Sequence, residues 1–137
     1  MKANFRTVHG RYVTVTRGKE WLADRVEPAA WEVITIVFKG EPFAEENRGT
    51  RVALLAWNQN YVGVDMGTHK GRMYAGRPIA GPAEAFILYE LGGSKYALKS
   101  VLADRYVTFE PEARNFQSIA DRTQIGAWET FDAIRLP

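Results

Sequence analysis

Two pairs of residues have the makings of a recognition site. Trp31-Glu32 and Trp128-Glu129 each place an indole beside a carboxylate, and each glutamate stands seven residues after an arginine, Arg25 or Arg122, that follows an aspartate, Asp24 or Asp121. A third copy keeps the same Arg-to-Glu interval, from Arg77 to Glu84, but has Gly76 for the aspartate and Ala83 for the tryptophan. An indole face stacks on the apolar face of a pyranose, and a carboxylate accepts two hydroxyl hydrogen bonds. Asp24, Arg25, Asp121 and Arg122 would add further polar contacts. The structural reading is that each glutamate pairs with its arginine or with a strand amide, and that Trp31 and Trp128 flank a core. Buried charges usually have fixed partners, which favours that reading of Glu32, Glu84 and Glu129. Trp57 sits in the turn Ala56-Trp57-Asn58-Gln59-Asn60, an aromatic beside three amides, which suits either polar recognition or plain surface packing. Trp21, after Lys19-Glu20, is a further aromatic expected near the surface.

Covalent chemistry finds little support. His9 and His69 fall in unrelated turns and are expected to be solvated. There is no Gly-x-Ser-x-Gly elbow, phosphate loop or His-Glu-x-x-His. The absence of cysteine removes disulfides, thiolate metal sites and thiol nucleophiles, and no metal ligand set or cofactor is expected. Glu45-Glu46 and Glu110 with Glu112 could in principle serve a glycosidase, whose carboxylates lie roughly 5–10 Å apart. Loop carboxylates beside Pro or Asn are usually solvated, so no enzyme activity is expected.

The elements that carry these residues repeat. Arg11-Tyr12-Val13, Asn60-Tyr61-Val62 and Arg105-Tyr106-Val107 open three copies of one pattern. Leu22-Ala23-Asp24-Arg25, Tyr74-Ala75-Gly76-Arg77 and Ile119-Ala120-Asp121-Arg122 follow, and the segments at Trp31, Ala83 and Trp128 come third. Three signatures in one order mark an internal repeat. Short runs with period-two alternation, punctuated by Gly, Asn, Asp and Pro, read as strands. Val52–Ala56 and Tyr96–Ser100 precede the second and third Tyr-Val pairs, as Phe5–Val8 precedes the first. The segment Glu84–Leu91 reads as strand rather than helix, because its counterparts are rich in Ile, Thr and Val. The count is four strands per copy, twelve in all. Closure into a pseudo-threefold barrel would remove exposed edges. One Tyr, one Leu or Ile and one Phe or Ile per copy are expected to converge in the core. Lys39–Thr50 is expected to be a surface loop.

The expected fold is therefore all-β, a β-trefoil of three pseudo-equivalent four-stranded repeats at about 1–50, 51–94 and 95–137, forming one domain over 1–137. At the same residues the chain resembles the fascin-like β-trefoil family, with Arg105-Tyr106-Val107, Ile119-Ala120-Asp121-Arg122 and Gly126-Ala127-Trp128-Glu129-Thr130-Phe131 matching best. That family includes actin-bundling proteins, and related trefoils serve as carbohydrate-binding modules of bacterial glycan-degrading enzymes.

Composition agrees with a soluble globular chain. The 137 residues are 46% hydrophobic and 25% charged, with a formal charge of +2 from 18 basic and 16 acidic side chains. The basic residues are dispersed, so no nucleic-acid stripe is expected. The longest apolar run, Val33–Phe38, is too short for a membrane span. The N-terminal residues have no apolar signal core. Read as a complete protein the chain is cytoplasmic; as a domain of a larger secreted protein it is extracellular. The expectation is a monomeric, multivalent, lectin-like carbohydrate-binding module with a glycan or polysaccharide as partner. Its contacts would be Trp31, Glu32, Asp24, Arg25, Trp57, Asn58, Glu84, Trp128, Glu129, Asp121 and Arg122. The alternative is a cytoplasmic fascin-like module that binds protein or actin.

Overall fold

A computed structural model describes residues 1–39, 49–68 and 70–137. Residues 40–48 of the expected 39–50 loop, Glu45 and Glu46 among them, and separately His69 lie outside the described residues; at its far end the expectation is corrected, since Gly49 and Thr50 are buried and begin a strand. Copy one supplies β1 (Lys2–Thr7), β2 (Tyr12–Val15), β3 (Trp21–Arg25) and β4 (Ile34–Phe38). Copy two supplies β5 (Gly49–Leu55), β6 (Tyr61–Asp65), β7 (Arg72–Arg77) and β8 (Phe86–Gly92). Copy three supplies β9 (Lys95–Ser100), β10 (Arg105–Phe109), β11 (Ser118–Arg122) and β12 (Phe131–Arg135). The segment after Glu84 is strand, as its counterparts imply.

The first and fourth strands of the copies form a closed antiparallel ring. β1 pairs β4, β4 pairs β5, β5 pairs β8, β8 pairs β9, β9 pairs β12, and β12 returns to β1. Closure leaves this barrel without an open edge. The second and third strands form three hairpins, β2–β3, β6–β7 and β10–β11. Bridges Glu20↔Tyr74, Ile119↔Arg72 and Leu22↔Gln117 tie each hairpin to the next.

Equivalent positions meet inside. Phe5, Leu54 and Leu98 form one set, Ile34, Phe86 and Phe131 another, and Val13, Val62 and Val107 a third; all are buried. The expectation that the repeated tyrosines join them is corrected: Tyr12, Tyr61 and Tyr106 are only half-buried. Each lies at a register shift in its hairpin, between Tyr12 and Thr14, Tyr61 and Val62, and Tyr106 and Val107. An irregularity of this kind interrupts alternation, so the three residues after each tyrosine are buried in succession. Trp21 is likewise not at the surface. It is fully buried, edge-on to Phe5 (6.2 Å) and Phe109 (5.7 Å).

Candidate functional site

Between the third and fourth strands of each copy runs a single 3-10 turn: Ala30–Glu32, Pro82–Glu84 and Ala127–Glu129. The repeated glutamate ends each one and folds back on it. Glu32 Oε1 accepts the Ala29 N–H at 2.7 Å, Glu84 Oε1 the Gly81 N–H at 2.8 Å, and Glu129 Oε1 the Gly126 N–H at 2.8 Å. The backbone N–H of each glutamate returns to the carbonyl of the same residue, at 3.1–3.3 Å. This reciprocal pair of bonds satisfies donors that a turn end leaves open. The carboxylates are 4%, 2% and 7% exposed. Thr14 also donates its hydroxyl to Glu32 Oε2 at 2.7 Å. Gly63 holds that place in copy two, where a Cβ would overlap Glu84 Oε2. Thr108 holds it in copy three, its buried hydroxyl without a hydrogen-bond partner among the described residues. The three glutamates are therefore strand-junction locks turned inward, and their bonds are to amides rather than to the arginines seven residues earlier. Arg77 is the exception, with Nε 4.0 Å from Glu84 Oε1.

The tryptophans lie where one copy meets the next. Trp31 stacks in parallel on Trp57, with centroids 4.4 Å apart and planes 4° from parallel. Trp57 Nε1 donates to the Val15 carbonyl at 2.7 Å, and the Arg17 guanidinium lies 5.7 Å from the Trp31 ring centroid. Part of the expected platform is thus occupied by the protein itself. At the junction of copies three and one, Trp128 meets His9 edge-on at 5.5 Å and Arg122 at 6.0 Å, and is 36% exposed. His9 is not a solvated turn residue, since its Nε2 is bonded to the Phe109 carbonyl at 3.0 Å. Asn58 is committed as well: its Nδ2 donates to the Ala75 carbonyl and its Oδ1 accepts the Asn60 N–H.

The Asp-Arg pairs stay at the surface. Arg25 Nε lies 3.6 Å from Asp24 Oδ1, and Arg122 Nε 3.1 Å from Asp121 Oδ1. Copy two leaves only a shallow hollow of about 120 Å³ around Gly76, Arg77, Ala83 and Glu84, whereas copy one builds a larger one around its set. Arg25, Glu27, Ala29, Ala30 and Trp31 surround an open pocket of about 510 Å³ that has Glu32 in its wall. Glu27 and the small pair Ala29-Ala30 are site residues that pattern reading passes over: Glu27 has no acidic counterpart in the other copies, and the small pair carries no polar group. Their small size beside a tryptophan was the available signal. The expected solvated pair of Glu110 and Glu112 is also corrected at Glu110. That carboxylate is buried, accepting from Gln117 Nε2 at 2.7 Å and facing Arg114 at 3.3 Å. Among the described residues no group of three His, Asp or Glu is placed to hold a metal ion.

No protein-family model matches the sequence, and neither does any curated protein. Solved structures do match. The designed 3-fold symmetric protein ThreeFoil superposes with a TM-score of 0.79 at 12% identity, over 98% of this chain and 99% of that one. The fold is a β-trefoil. SeviL, solved with the asialo-GM1 saccharide, superposes on this trefoil with a TM-score of 0.73 at 9% identity, over 98% of this chain and 96% of its own. Likeness at such identities establishes the architecture, while a trefoil's ligand is decided by its side chains.

Proposed function

We propose that this trefoil is a non-catalytic carbohydrate-binding module whose principal site is the copy-one pocket. The observation that carries the reading is that pocket's size and lining. About 510 Å³ accommodates a monosaccharide unit, the Trp31 edge and Ala29-Ala30 suit its apolar face, and Arg25 and Glu27 can exchange hydrogen bonds with its hydroxyls. Asp24 orients Arg25. Copy three offers a shallower second contact through Trp128, Asp121 and Arg122. Glu32 forms part of the pocket wall, and Glu84, Glu129, Trp57 and Asn58 are held by bonds within the protein rather than left to grip the sugar. That a structural neighbour was solved with a saccharide bound is consistent with this reading. Each site alone would be weak, because an open pocket buries little of a well-hydrated ligand, and two on one module would raise avidity.

The test is retention on immobilised glucan, mannan and galactan, with asialo-ganglioside saccharide as a further probe. Trp31→Ala is expected to weaken the retained ligand by about tenfold, close to 1.4 kcal/mol, with an unchanged circular dichroism spectrum. The substitution is compatible with the fold because copy two carries Ala83 at that place. Retention on none of these glycans defeats the proposal. Co-sedimentation with filamentous actin in that event would favour the protein-binding role implied by the fascin-like resemblance.

A further inference from the structure

Copies two and three meet differently from the other junctions. Counting back from the repeated tyrosine of β2, β6 and β10, the preceding turns place His9, Asn58 and Ala103 at one position. His9 and Asn58 each bond a backbone carbonyl through their side chains. Ala103 has no polar group to offer, and a pocket of about 380 Å³ lies beside it. Its inner wall is Gly71, Ala103, Ile119 and Ala120, and Met66, Lys70, Arg105 and Asp121 complete the lining.

The cations there differ from their counterparts. Arg11, two copies away from Arg105 at the same position, donates to the Asp24 carbonyl at 3.4 Å and lies 5.3 Å from the Phe116 ring centroid. Among the described residues Arg105 donates to the adjacent Asp104 carbonyl alone, at 2.9 Å, and it is exposed. Lys70 comes from the β6–β7 connection, which is longer than the β2–β3 one. Among the described residues no carboxylate forms an ion pair with Lys70 or Arg105, and Asp121 is already paired with Arg122. The pocket therefore joins an apolar wall to two cations that no described carboxylate pairs, with Asp121 engaged by Arg122. A cation pair of this kind binds an anionic oxygen group through charge-assisted hydrogen bonds, with Arg able to engage two oxygens at once.

Resting on the carbohydrate-binding reading above, we infer that the junction of copies two and three is a further subsite, distinct from the Trp31 pocket and the Trp128 contact, selective for a saccharide unit that carries a negative charge. Lys70 and Arg105 hold the anionic group, and Ile119 and Met66 lie against the ring. The copy-one pocket, whose lining carries Glu27 as well as Arg25, has no such preference.

The experiment is an amide NMR titration of the intact chain with glucuronate, N-acetylneuraminate, glucose 6-sulfate, glucose and inorganic sulfate. The expected result is that the acidic sugars shift Lys70, Gly71, Ala103, Arg105 and Ala120, that glucose does not, and that the affinity falls severalfold between low salt and about 0.3 M salt. Comparing the two carboxylated sugars with the sulfated one separates the two sources of charge. Lys70→Gln with Arg105→Gln is expected to weaken binding at least about tenfold; both side chains are exposed, so the fold is retained. Ala103→Asn, which restores the copy-two residue, should occlude the pocket. Equal shifts with glucose, equal shifts with inorganic sulfate, or an unaffected double variant would each overturn the inference. Sugars that bind beside Trp31 and leave residues 70–120 unmoved would overturn it while sparing the carbohydrate-binding proposal. No binding at any residue would remove both.

Discussion

The residue before each repeated Arg or Asn, two places ahead of the tyrosine, has a left-handed backbone: Gly10 at φ 73°, Gln59 at 66° and Asp104 at 54°. Only copy one fills the position with the residue that adopts it without strain. Gly10→Ala is expected to lower stability by about 1 kcal/mol in urea unfolding, and no more, because the added Cβ meets only Arg6 Nη2 at ordinary contact distance, 3.6 Å. The locking glutamates matter more. Glu32→Ala strands the Ala29 amide and leaves the Thr14 hydroxyl only its longer bond to the Trp31 carbonyl, at 3.4 Å, and should cost about 2 kcal/mol in the same measurement. Glu84→Ala should cost less, since Gly63 brings no hydroxyl to that carboxylate. The Trp-Glu signature was plain in the sequence, but its direction was not, because period-two reasoning says nothing about a residue that ends a 3-10 turn. A hint was present: Ala29, Gly81 and Gly126 stand three residues before the glutamates. At Gly126 a Cβ would come within 3.0 Å of Glu129 Oε1.

Among the elements, alternation and turn residues located all twelve strands, because half-buried strands write their two faces into every second residue. They failed at β2, β6 and β10, where the register shift beside each tyrosine moved the core face by one residue and left the ring half-exposed. Pairings across connections were not legible either. The turn that joins β8 to β9 is fastened to β12 by Asp132, whose carboxylate accepts the Ser94 hydroxyl at 2.6 Å and the Lys95 ammonium at 3.0 Å. The Ser94 hydrogen bond first, and then Lys95, hold Asp132 below its ordinary value of 3.8 against the opposing effect of burial. A depressed carboxylate adds stability that is complete above that ordinary value and is lost as pH falls toward the folded-state value. Asp132→Asn should therefore flatten the acid limb of a stability–pH curve below about pH 4, measured by urea midpoints. An unchanged slope would show that this contact adds nothing to folding.

At the scale of the molecule, threefold topology is executed with unequal side chains. Trp21, Met73 and Ser118 occupy one equivalent position and Val15, Val64 and Phe109 another, and all six are buried. Bulk missing at Ser118 is balanced by Phe109 in the same copy, whose ring touches Trp21 edge-on. Such complementarity specifies one packing of the centre. Trp21→Met, which makes copy one like copy two, is expected to cost about 2–3 kcal/mol in thermal or urea unfolding, because Phe5 and Phe109 lose their contact and a cavity remains. The repeat pattern revealed the symmetry, whereas the departures from it required coordinates: nothing in Lys19-Glu20-Trp21 distinguishes a buried indole from an exposed one. The same unevenness decides the candidate sites: Ala103 opens a pocket where its siblings are His9 and Asn58, and the copy-one pocket has Trp31 where copy two has Ala83.

The ring closes between the first and last strands, where Ala3 faces Arg135 and Thr7 faces Phe131 in antiparallel register. Tension applied to the two ends would therefore arrive at neighbouring rungs and part them one after another, as a zip opens, instead of straining the whole ladder at once. A module tethered through both ends would yield first at that seam, long before its hairpins felt the pull.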